Sequence, residues 1–274
     1  MKVRILVAAI AIPLLALAII FLPTWALGII TGAACACCAW EFLRCTEDKV
    51  SPRIPGYAAV SAFCIPFLTA FYNGQRVMVT VIFLLFAVMF VELMLSFRRE
   101  TTLDFETVAV TLLGGGILPA LLSGVVRLAL RENDGIPYAL LPFVIAFSSD
   151  GGAYFTGFFL GKHKLTPRLS PNKTIEGSIG GFISCIILTL AFGLIIRGFG
   201  FEVNFAVLAA YGFLGSLAAQ LGDLSFSAVK RLYEIKDYGN LLPGHGGMLD
   251  RLDSMVWVVP VLELLAAWVP AIYK

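Results

Sequence analysis

The chain is short of charge: Asp, Glu, Lys and Arg make up 14% of its 274 residues, where a soluble globular domain carries roughly 25%. That scarcity, set beside 59% hydrophobic residues, excludes an ordinary water-soluble fold. Charge of one sign is scarce too. The net +2 comes from cations scattered between apolar runs and not from one basic block, which argues against nucleic acid as a partner. There are two histidines, and the six cysteines (Cys35, Cys37, Cys38, Cys45, Cys64 and Cys185) lack the two-pair spacing that holds zinc. They read as small, buried apolar residues. No repeat of solenoid period is visible, and the halves are not obviously inverted copies of the kind that builds many transporters.

What the chain has in abundance is apolar runs of about 20 residues, the length that crosses a bilayer core as a helix. Nine can be marked, at about 4–22, 25–42, 56–72, 77–97, 107–128, 136–160, 178–196, 204–223 and 254–272. The expected fold is therefore all-α, a polytopic membrane protein in one continuous membrane domain. Residues 1–135 form a scaffold of about five helices and 136–274 a catalytic region of about four. The basic start before the first run suggests a signal peptide, but no cleavage site and soluble domain follow, so the run counts as a span. The connections near 43–55, 98–106, 161–177 and 224–253 hold thirteen of the twenty Lys and Arg residues, which places them in the cytoplasm. Lys2 and Arg4 argue locally the other way.

Polar residues with chemical potential gather after residue 148. Asp150 lies inside an apolar run, where a carboxylate is costly unless it is paired or lines a wet cavity; the alternative is a cap on a broken helix. The stretch 161–177, with Lys164, Ser170, Asn172, Lys173 and Glu176, leads into a helix start and could cradle a phosphate. It could equally be an ordinary positive-inside loop. If the eighth run stays helical beyond its apolar part, Asp223, Ser227, Lys230 and Arg231 share one face. Asp250 and Asp253, three apart, would share a face if helical and could join Asp223 around a hard cation, since two carboxylates plus phosphates are the usual magnesium set. Glycines 246 and 247 beside His245 allow backbone to approach a ligand closely. His245 suits a phosphate contact or a turn, with a general base as the alternative, and Glu263, in mid-span, a buried structural role with coupling to the site as the alternative.

These residues also carry a resemblance. Ser227-Ala228-Val229-Lys230-Arg231, Lys236-Asp237, Gly239, Leu242-Pro243, His245-Gly246-Gly247, Asp250-Arg251 and Asp253 look like the full signature of the phosphatidate cytidylyltransferases, or CDP-diacylglycerol synthases. The stretch from Asp150 to Tyr154, with Gly161 to Leu165 and Ser170 to Gly177, is similar to the same family. Gly151 departs from it, standing where a hydroxyl residue is expected.

The resemblance implies transfer of CMP from CTP to phosphatidate, giving CDP-diacylglycerol and pyrophosphate, with magnesium and with a second cation left open. It also implies a homodimer working at the cytoplasmic face; with no added soluble domain visible, a bacterial inner membrane is the expected setting and an organellar membrane the alternative. Asp223, Lys230, Arg231, Asp250 and Asp253 become the expected catalytic set, with Asp223, Asp250 and Asp253 as metal ligands. Asp150, Lys164, Ser170, Asn172, Lys173, Glu176, Ser227, Lys236, Asp237, His245, Gly246, Gly247 and Arg251 become the expected substrate contacts. A CTP-dependent lipid kinase and a transporter are the competing readings.

Overall fold

The computed structural model describes residues 13–45, 53–98, 103–241 and 246–274. In chain order the elements are α1 (13–21), α2 (Thr24–Arg44), α3 (Arg53–Thr69), α4 (Gly74–Ser96), α5 (Phe105–Leu112), a π-helical turn (Leu113–Ile117), α6 (Leu118–Leu122) and α7 (Gly124–Ala129). There follow α8 (Gly135–Leu160), β1 (Lys164–Thr166), β2 (Ser170–Thr174), α9 (Ile175–Gly198), β3 (Glu202–Val203), α10 (Phe205–Leu232), α11 (Leu249–Leu252), α12 (Met255–Trp268) and β4 (Ile272–Tyr273). They form two compact units: Met1–Leu130 with Ile235–Arg251, and Arg131–Glu234 with Leu252–Lys274.

In the first unit, polar residues start the helices where the apolar runs begin. Asn73 accepts from the N–H groups of Gln75 and Arg76 to cap α4, and Asp104 accepts from that of Thr107 to cap α5, satisfying donors a helix leaves open. The three glycines of the π turn are buried. A Cβ on Gly115 would lie 2.7 Å from Ala58 Cα, so α3 and this turn meet backbone to backbone, as small residues permit in membrane packing.

The second unit is built on α8, α9, α10 and α12. Helix α9 shows why it belongs in lipid: Ile179, Ile183, Ile187 and Leu194 are exposed, while Gly177, Gly180, Gly181 and Cys185 are buried. The small face lies against α8. A Cβ on Gly177 would come within 2.8 Å of the Ala153 carbonyl oxygen, and one on Gly181 within 3.0 Å of that of Ser149. The four-residue spacing of Gly177 and Gly181 thus serves packing inside the chain. Arg131 and Asp134 pair through two N–H···O contacts of 2.7 and 2.8 Å at the start of α8. Tyr138 Oη accepts from the N–H groups of Ala271 and Ile272 and so holds β4, which pairs antiparallel with β3.

The protein is largely helical, and six helices among the described residues are long and apolar enough to cross a membrane: Thr24–Arg44, Gly74–Ser96, Phe105–Ala129, Gly135–Leu160, Ile175–Gly198 and Phe205–Leu232. The count of nine is not reached. Residues 4–12 of the first expected span lie outside the described residues, α3 has 17 residues, and α12 has 14, or roughly 21 Å of helix against a core of about 30 Å. The all-α expectation also misses the two short antiparallel pairs, β1 with β2 and β3 with β4. Cys35, Cys38 and Cys185 are buried, and the other three cysteines are partly so.

Candidate active site

Within the second unit, α10 stays helical to Leu232, which puts Asp223, Ser227 and Lys230 on one face as the spacing predicts. Ser227 Oγ donates to Asp223 Oδ1 at 3.3 Å. On the other carboxylate oxygen, Asp223 Oδ2 stands 2.6 Å from Lys173 Nζ. Lys173 arrives there because the stretch 161–177 is a β-hairpin with Thr166 opposite Ser170 and Lys164 opposite Thr174. Arg231 Nε donates to the Leu169 carbonyl at 3.3 Å, tying the hairpin turn to α10.

The base of that hairpin is closed by Glu176. Its carboxylate accepts from the N–H groups of Lys162 and His163 at 3.1 and 3.2 Å, and His163 Nδ1 lies 2.6 Å from Oε1. Thr174 Oγ1 meanwhile accepts from the Gly177 N–H, capping α9. The expected phosphate cradle at the start of α9 is thus partly filled from within the chain, with Glu176 and Thr174 fixing the hairpin. Lys164 and Asn172 are exposed on it and Ser170 is partly exposed.

A second carboxylate reaches this region from the segment before α12. A Cβ on Gly222 would lie 2.8 Å from the Asp253 carbonyl oxygen, so α10 touches the chain at Asp253 right beside Asp223. Asp253 is 8% exposed, and its Oδ1 accepts from the Ser254 N–H at 2.7 Å. Ser254 Oγ lies 3.3 Å from Asp150 Oδ2, bringing in α8. Burial, then Asp223 and Asp150, push the Asp253 carboxyl up to about 7, with Lys230 and the Ser254 N–H opposing. Three carboxylates and two lysines in one unit are the mixture that a metal–phosphate complex requires. The like-charge load on Asp253 fits a hard cation in chemical kind. Among the described residues, no group of three His, Cys, Asp or Glu side chains is close enough to hold a metal.

Asp250 belongs to the first unit and is buried there. Its Oδ2 accepts from the N–H groups of Tyr238 and Gly247 at 2.9 and 3.0 Å. Gly246 has φ +83°, a conformation that favours glycine. Helix α11 ends at Leu252, so Asp250 and Asp253 do not share a helical face as expected. Lys236, Asp237 and Arg251 are exposed in the same unit, His245 lies outside the described residues, and Glu263 is partly buried within α12.

The profile of the cytidylyltransferase family matches residues 2–269. The chain belongs to the cytidylyltransferase family. A phosphatidate cytidylyltransferase of Bacillus subtilis (strain 168) is 34% identical over 230 residues, 83% of this chain and 84% of that protein. Phosphatidate cytidylyltransferases of Staphylococcus aureus (strain COL) and Staphylococcus haemolyticus (strain JCSC1435) are 46% and 44% identical over 134 residues, about half of each chain. The resemblance read from the signature is thereby confirmed at the level of the family.

Sequence reasoning assigns no role to Glu41, Ser254, His163 or the polar set Ser149, Ser178, Ser216 and Gln220. Ser149 Oγ lies 2.8 Å from Ser216 Oγ, and Gln220 bonds to Ser178 and Ser216. Glu41, buried on α2, accepts from the N–H groups of Met248 and Leu249 at 3.0 and 2.9 Å. The signal available for it was a lone carboxylate near the end of an apolar run.

Proposed function

We propose that this protein transfers CMP from CTP to phosphatidate, giving CDP-diacylglycerol and pyrophosphate, at the cytoplasmic face of a bacterial inner membrane. The observation that carries the reading is the cluster of Asp223, Lys173, Asp253 and Asp150 around α10, the helix that bears the first part of the signature, in a chain whose relatives are named for this reaction. In this reading an oxygen of the phosphatidate phosphate attacks the α-phosphorus of CTP, and the bond between that phosphorus and its bridging oxygen to the β-phosphate breaks. The lipid phosphate is already ionised, so no protein nucleophile or strong base is needed. Positioning and charge neutralisation then supply the rate.

Lys173, Lys230 and Arg231 neutralise the triphosphate and the lipid phosphate. Asp223 and Asp253 would hold magnesium, with Asp150 close by, and Asp250 enters on the signature alone. Bound there, the metal would screen the charge that builds on the leaving pyrophosphate. Lys164, Ser170, Asn172, Lys236, Asp237, His245 and Arg251 are assigned to the substrates on the same signature. The nine-span topology and the homodimer belong to this proposal as well.

The test is purified protein in detergent with phosphatidate, magnesium and CTP labelled separately in cytidine and in the γ-phosphate. Cytidine label should enter lipid while γ label leaves as pyrophosphate. Label from the γ-phosphate in lipid would mean a kinase, and no transfer at all would reopen the transporter reading.

A further inference from the structure

Helix α2 carries a carboxylate that its own folding does not call for. Glu41 lies in the last turn of Thr24–Arg44 and is 5% exposed, although negative charge near a helix C-terminus is disfavoured by the dipole and a buried carboxylate is costly without partners. Its partners come from more than 200 residues away. The N–H groups of Met248 and Leu249 donate to Oε1 and Oε2 at 3.0 and 2.9 Å. The backbone also closes around the carboxylate at two glycines: a Cβ on Gly239 or on Gly247 would lie 2.5 Å from a Glu41 oxygen. Next to Glu41, the Phe42 ring stands 6.0 Å from that of Tyr238.

Three successive amides, those of Gly247, Met248 and Leu249, therefore end on carboxylates: the first on Asp250 Oδ2, the next two on Glu41. Asp250 uses the same oxygen for the Tyr238 N–H. Two acidic side chains thus fix the short segment on which Asp250 and Arg251 are mounted. Gly247, part of the signature, finds a physical reason in the space that Glu41 occupies.

We infer that Glu41 is a positioning residue, whose carboxylate sets the backbone carrying Asp250 and thereby the rate of CMP transfer. The inference rests on the cytidylyltransferase reading for its effect on rate, while the hold on the loop stands on geometry alone. Charge-assisted hydrogen bonds are among the stronger ones, and a misplacement of about 1 Å at a reacting group lowers rate by about 100-fold. Glu41→Ala should therefore lower kcat by about 100-fold and leave the KM for CTP within about threefold of wild type. Glu41→Gln keeps the shape and one acceptor oxygen, and should fall between the two.

The experiment combines kinetics with amide hydrogen exchange on the full-length protein in detergent. Amides 248 and 249 should be protected in wild type, exchange faster in Glu41→Gln and fastest in Glu41→Ala. Gly247→Ala should be severe alone and add little on top of Glu41→Ala, because the obstruction is then gone. Unchanged kcat in Glu41→Ala, or unchanged exchange at 248 and 249 in either variant, overturns the inference. If Glu41→Ala does not fold, Glu41→Gln decides by the same two readouts. A wild-type protein that transfers no CMP would sink the functional reading, and the exchange comparison would still decide whether Glu41 holds the loop.

Discussion

Lys173 Nζ stands 2.6 Å from Asp223 Oδ2, joining the β1–β2 hairpin to α10. Each side chain is less than a third exposed, so neither charge is fully compensated by water if the other is removed. Asp223→Asn and Lys173→Met should each lower kcat by about 100-fold or more, the scale at which single electrostatic contacts act in active sites. Because the two act as a pair, the double variant should lose much less than the product of the single losses. Initial rates at saturating CTP measure this, and strict multiplicativity would show that the pair does not work as one unit.

Asp253 gives a pH dependence to the protein without divalent metal. Its folded carboxyl sits at about 7 against an ordinary 3.8, raised by burial first and then by Asp223 and Asp150. A raised carboxyl favours the protonated form in the folded state, so this stabilisation is complete below the ordinary value and disappears as pH rises through the folded one. In chelator, the melting temperature should fall between about pH 4 and pH 7. Asp253→Asn, neutral throughout, should flatten that slope. A slope identical in the variant would exclude Asp253 as its source.

Much of the helical framework was legible because hydropathy and bilayer thickness leave few alternatives for a run such as 77–97. The face of α10 was legible for a related reason: Asp223, Ser227 and Lys230 have helical spacing even though the apolar run ends near 223. The hairpin at Lys164–Thr174 was not. Its strands have three and five residues, and their order comes from the Glu176 carboxylate and the Arg231 contact with Leu169. The task of Glu41 was illegible because its two donors lie 207 and 208 positions away, and nothing in one sequence links residues so distant. The spacing of Asp250 and Asp253 implies one face only if the stretch is helical, but α11 stops at Leu252 and the three-residue spacing no longer implies a shared direction.

Adjacent glycines on α8 should respond unequally to substitution. A Cβ on Gly151 meets nothing within 4 Å, whereas one on Gly152 collides with Ser184 and lies 3.0 Å from the Gly180 carbonyl oxygen. Gly151→Ser restores the hydroxyl expected at that place and should change stability by no more than about 0.5 kcal/mol. Gly152→Ala has to spread α8 from α9 and should cost about 1–3 kcal/mol. Thermal unfolding in detergent would compare them, and equal melting temperatures would contradict the packing described for this helix pair.

The resemblance implies that Glu176 touches substrate, and its contacts within the chain suggest a second task, as a clamp on the hairpin. Its carboxylate takes the N–H groups of Lys162 and His163 and faces His163 Nδ1 at 2.6 Å, closing the hairpin at the end away from its turn. Removing it leaves Lys173 tethered at Asp223 and the turn tethered at Arg231, so the strands should loosen without leaving α10. Glu176→Ala should therefore lower kcat by roughly tenfold, less than loss of Lys173 itself, since a small displacement costs less than a missing charge. Protease cleavage between 162 and 169 should become faster while the melting temperature stays close to wild type. If Glu176 bound substrate directly, the KM for CTP or phosphatidate would rise instead and cleavage would not change, so the two measurements together separate a hairpin clamp from a ligand contact.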